Sequence, residues 1–110
     1  MTLSRALLCH ASAALASLLR FSGPADEQLS RYFREHRALG QHDRAFIAES
    51  AFAVLRRLRS LQAAAGGAEP RALLIAALVR VQGLSGRALE AALLPGEQAL
   101  VARVKAFRHE

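Results

Sequence analysis

The residues whose type and spacing best suit chemistry are arginines. Arg31, Arg34 and Arg37 recur at intervals of three, and Arg56, Arg57 and Arg59 form a second group. On helices, the first set drifts around the face opposite Leu29, Tyr32 and Phe33, while Arg56 and Arg59 share a face with Arg57 beside them. Guanidinium groups laid out as two such ridges can reach successive phosphates of a folded RNA, a contact of shape and charge that carries little sequence information. The same residues also suit solvated helix faces, with Glu27 and Arg31 as an ordinary i, i+4 pair, and spacing alone leaves both readings open. Aromatic residues are scarce, and Tyr32, Phe33, Phe46 and Phe52 read mostly as core, which disfavours a platform for stacking single strands.

Other chemistries find little to work with. The chain has neither a G-x-G-x-x-G turn nor a P-loop to hold a nucleotide, so no cofactor is expected in it. His10, His36, His42 and His109 are scattered and Cys9 is alone, which argues against a zinc site and against any other metal. A nucleophilic Cys9 would need a base beside it. His10, the next residue, points about 100° away on a helix, so Cys9 reads as a buried structural thiol. His36 falls on an apolar stripe and reads as a core or boundary histidine. No catalytic residue is assigned, and the expected activity is binding. A lone cysteine also forbids an intrachain disulfide, which makes the cytoplasm the default compartment.

The elements that must carry the arginines are helical. Hydrophobic residues are 53% of the 110 but aromatics only 5%, and the apolar set is mostly Ala and Leu, which favours helices over strands in one domain spanning residues 1–110. Leu8, Ala11, Leu15 and Leu18 predict a helix from about Leu3 to Arg20. The run Ala6 to Leu19 resembles a leader segment but is interrupted by His10, Ser12 and Ser17, and it is too short and polar to span a bilayer. Pro24 opens a second helix, with Asp26 and Glu27 in its first turn, that Gly40 stops. Ile47, Ala51, Val54, Leu55, Leu58 and Leu61 predict a third, beginning at Gln41, His42 or Asp43 and ending at Gly66-Gly67. Pro70 opens a fourth, with Leu73, Leu74, Ala77, Leu78 and Val81 on one face and Gly83 closing it. Ser85 caps a short helix to Leu94, and a last helix runs from about Gly96 to Arg108 with Leu100, Val101, Val104 and Phe107 inward. The expectation is an all-α, compact bundle of five to six helices. Of the 15 Lys and Arg residues only Lys105 is lysine, and the net charge of +6 points to an anionic partner.

The segment Ala25-Asp-Glu-Gln-Leu-Ser-Arg-Tyr-Phe-Arg-Glu-His-Arg37, followed by Leu39-Gly40-Gln-His-Asp43-Arg44-Ala-Phe-Ile47 and Val54-Leu55-Arg56-Arg57, resembles a known family. It looks like the N-terminal domain of RsmB/Fmu/Sun-type rRNA cytosine methyltransferases, which has the helical-bundle fold of NusB. The resemblance is densest from Ala25 to Leu61, and Pro70-Arg-Ala-Leu-Leu-Ile-Ala-Ala-Leu fits the next helix of the family. Near Gly83 the aromatic that often follows the family's glycine is missing. Carried over, Asp43 and Arg44 are the family's D-R pair and Arg56 is its V-L-R arginine. Asp43 is then expected to cap the third helix and Arg44 to bridge to a neighbouring helix or carboxylate.

The resemblance implies that this chain is the front of an S-adenosylmethionine-dependent enzyme that makes 5-methylcytosine in 16S ribosomal RNA. The cofactor site and two catalytic cysteines would lie in a later methyltransferase domain. Cys9 matches neither of that family's cysteine motifs and receives no role. The partners implied are ribosomal RNA and the C-terminal methyltransferase domain, with no membrane. Two other readings stay open: a protein-interaction module packing on the catalytic domain or a partner, and a NusB-type transcription antitermination factor.

Overall fold

Helix boundaries follow local chemistry. In the computed structural model, which describes residues 3–108, the Ser4 hydroxyl accepts the Leu7 N–H at 3.1 Å and starts α1 (Arg5–Leu18). Its face of Leu7, Leu8, Ala11, Ala14, Leu15 and Leu18 is buried. Pro24 precedes α2 (Ala25–Glu35), which seats Leu29 and Gln28 against α1. This helix ends earlier than expected. His36 leaves helical geometry at φ −127°, ψ 64°, and the Leu39 N–H donates to its carbonyl at 3.1 Å, turning buried Leu39 back onto the core. Arg37 therefore sits in a turn and not on the helix.

The third predicted helix is two helices. α3 (Gln41–Arg56) and α4 (Leu58–Ala65) meet at Arg57, whose backbone departs to φ −127°, ψ 33°. Unbroken, this stretch would run about 37 Å at 1.5 Å per residue, far beyond α1, with which α3 packs. The break lets α3 pack on α1 and α5 and redirects α4 onto α5 and α7. It raises the count to seven α-helices among the described residues, where five to six were expected, with no strand. The all-α bundle stands.

Gly66 ends α4 at φ 78°, and both its N–H and that of Gly67 donate to the Gln62 carbonyl, at 2.9 and 3.1 Å. A Cβ at Gly66 would also lie 2.6 Å from the Arg103 guanidinium, which rests on this turn. Pro70 then begins α5 (Pro70–Arg80) as its first residue. Leu73, Leu74, Ile75, Ala76, Ala77 and Leu78 are all fully buried. The expected single apolar face is thus an apolar circumference, because α5 is enclosed by α1, α3, α4 and α7.

Ser85 caps α6 (Gly86–Leu89) by accepting the Ala88 N–H, and a 3₁₀ turn over Glu90–Ala92 follows. The last helix, α7 (Glu97–Ala106), buries Val101 and Val104, with Leu100 and Phe107 half-buried. It runs parallel to α5 and is fastened at both ends by arginines. Arg71 in the first turn of α5 donates to both carboxylate oxygens of Glu97, at 2.5 and 2.9 Å, and to the Ala92 carbonyl at 3.3 Å. Arg80, in the last turn, donates to the Val104 and Phe107 carbonyls at 3.1 and 2.9 Å. The final carbonyls of a helix have no donor within it, and Arg80 supplies one from α5.

Candidate nucleic-acid interface

The arginines of the resembling segment differ from those of α5. Arg71 and Arg80 are spent on the α5–α7 fastening, and Arg71 with Glu97 is the one ion pair among the described residues. Arg31, Arg34, Arg37, Arg44, Arg56, Arg57 and Arg59 are exposed and pair with no carboxylate of the described residues. The i, i+4 pair of Glu27 with Arg31 does not form. All seven are exposed, so their charge stays in water.

Only part of this set shares a hollow. Ser30, Phe33, Arg34, Arg37 and Arg44 line a single concavity of about 520 Å³ where the end of α2 meets the start of α3. Arg44 lies over the Phe33 ring, 5.8 Å from its centroid. The positive end of the α3 dipole opens beside this group, since Gly40 supplies no side-chain cap to the first amides. Arg31 stands one turn back on α2, lining a neighbouring hollow with Asp26, Glu27, Ser30 and Arg34. Arg56 is twelve residues beyond Arg44, hence about 18 Å along α3 and about 120° around it. The helix break at Arg57 divides the second group itself: Arg56 ends α3, Arg57 is the joint and Arg59 belongs to α4. The shared face expected for Arg56 and Arg59 on one continuous helix does not exist.

The expected roles of the D-R pair also change. Gly40, not Asp43, is the N-cap of α3, and the Asp43 carboxylate provides no side-chain cap to it. Asp43 acts only as a negative charge in the first turn, favourable to the helix dipole. Arg44 reaches an aromatic ring and not a carboxylate.

Cys9 is exposed, contrary to the buried thiol expected. At about 100° per residue it lies opposite the stripe of Leu8, Ala11 and Leu15, and its sulfur accepts a weak hydrogen bond from Arg71 Nη1 at 3.9 Å. His10 next to it donates to or accepts from the Tyr32 hydroxyl at 2.7 Å, and His36 stacks on the Tyr32 ring with centroids 4.1 Å apart. Burial, together with the charge of a Cys9 thiolate, raises the Tyr32 hydroxyl above its ordinary range. This half-buried cluster fastens α2 to α1 and thereby fixes where Arg31 and Arg34 project. His109 lies outside the described residues.

Among the described residues no group of three His, Cys, Asp or Glu side chains is placed to hold a metal, and no helix is long and apolar enough to cross a membrane. No protein-family model, curated protein or solved structure matches this chain.

Proposed function

We propose that this chain is a non-catalytic RNA-binding domain that positions substrate, working in the cytoplasm as the NusB-like front of an S-adenosylmethionine-dependent 16S rRNA cytosine-C5 methyltransferase. The observation that carries the reading is the set of seven exposed arginines, from Arg31 to Arg59, that no carboxylate among the described residues neutralises. Unpaired guanidinium groups on a molecule of net charge +6 attract phosphate at long range and bind it bidentately at close range. The ordered resemblance from Ala25 to Leu61 supplies the choice of ribosomal RNA. A later domain would carry the cofactor and the methyl transfer, and this one would contribute affinity and orientation.

The test is a fluorescence-anisotropy titration of the 110-residue chain into a labelled hairpin of small-subunit rRNA at two salt concentrations, with a scrambled duplex as control. Binding should weaken steeply with salt, and Arg56→Glu with Arg59→Glu should reduce the slope by roughly 0.7–0.9 for each phosphate no longer neutralised. Absence of binding at low salt would defeat the reading.

A second reading, a protein-interaction module, is favoured by one feature: an open groove beside α3 where apolar Leu3, Phe46, Leu84 and Ala88 are joined by Glu49 and Gln82. It predicts that the chain associates with the methyltransferase domain in a pull-down and has no RNA affinity of its own.

A further inference from the structure

The concavity between α2 and α3 has two kinds of wall. Arg34 and Arg37 present charge, with Ser30 adding a hydroxyl, and opposite them the Arg44 guanidinium lies over the half-buried Phe33 ring. A row of phosphates along a duplex needs only the first kind of wall. A guanidinium within cation–π reach of an aromatic ring adds something more, because it puts a flat cation and a ring side by side at one wall, both of the type on which nucleobases stack. Arg44 is exposed, and no carboxylate among the described residues turns it aside. Phe33 is itself fixed because the next ring along, Tyr32, meets it edge to face at 6.3 Å and is tied to His10 on α1.

Resting on the RNA-binding reading above, we infer that Phe33 and Arg44 form a stacking site for one unpaired base, whose flanking phosphates are held by Arg34 and Arg37. The site would accept a nucleotide extruded from a stem and hold it chiefly by stacking, a contact that tolerates any base. Arg56 lies about 18 Å from Arg44 along α3, and Arg56, Arg57 and Arg59 have no aromatic partner among the described residues; they serve the neighbouring stem through its phosphates alone.

The experiment compares three labelled RNAs by anisotropy at fixed low salt: a perfect stem, the same stem with a one-nucleotide bulge, and that bulge made abasic. The bulged stem should bind about tenfold more tightly than the other two. Arg44→Lys keeps the charge but removes the plane, and it should erase that preference, so that the variant binds the bulged, abasic and perfect stems alike. Phe33→Leu should act in the same direction. Equal affinity for all three RNAs, or a preference that survives Arg44→Lys, would overturn the stacking site and leave RNA binding intact. No binding to any of them would overturn the RNA reading and this site together.

Discussion

Glu97 is pulled in two directions. Its burial alone would push the carboxyl up, but the hydrogen bonds from Arg71 and from the Leu94 N–H, with the Arg71 charge beside it, outweigh that and hold it below its ordinary 4.5. A group whose folded value is depressed stabilises the fold above its unfolded value and loses that contribution as pH falls through the folded one. Replacing Glu97 with Gln should therefore cost about 1–2 kcal/mol at pH 7, and the gap from the parent should close as pH drops below 4.5. Urea unfolding at pH 7 and pH 3 reads this directly, and a gap that persists at pH 3 would mean that shape, not charge, is what the position supplies. The counterpart Arg71 is raised by the same hydrogen bond to Glu97, so it stays cationic throughout that range.

Among the elements, the parallel pair α5 and α7 depends on fastenings at its two ends. Arg80→Ala removes the donor to the Val104 and Phe107 carbonyls. Amide exchange at Phe107, whose N–H donates to the Arg103 carbonyl, should then rise at least about tenfold, the order expected for one charged hydrogen bond, while α1 amides keep their rates. Unchanged exchange at Phe107 would show that packing alone holds the end of α7. What is legible in the sequence varies with the cause. Helix ends written in local residues are readable: Pro70, the Gly66-Gly67 pair and the Ser85 cap all lie where expected. The break at Arg57 is not, because Leu55-Arg-Arg-Leu58 contains no glycine or proline and the bend arises from what α3 and α4 pack against. Cys9 reads as buried only while its neighbours are ignored, since helical arithmetic from Leu8, Ala11 and Leu15 puts it on the outside. The candidate site is half visible: the free arginines stand out, but the meeting of Phe33 with Arg44 is a product of the turn at Arg37 to Leu39 and leaves no trace in spacing. The internal use of Arg71 and Arg80 is equally hidden, since their partners are 21 to 27 residues away.

In a molecule 37 × 28 × 20 Å in extent, the candidate arginines from Arg31 to Arg59 fall in two groups with about 18 Å of α3 between Arg44 and Arg56. Sites that far apart act independently. Arg34→Glu with Arg37→Glu, and Arg56→Glu with Arg59→Glu, should each weaken binding to a labelled rRNA hairpin, and the free-energy losses should add in the fourfold variant. Strongly sub-additive losses in anisotropy titrations would indicate that the two groups compete for one stretch of phosphate. The enclosure of α5 has a consequence of another sort, for the order in which the protein is made. The innermost helix lies at Pro70–Arg80, after the segments α1, α3 and α4 that surround it. A nascent chain that has emerged only as far as Ala65 holds a cradle of leucines with nothing inside it, so the bundle closes only once α5 leaves the ribosome and is received from within.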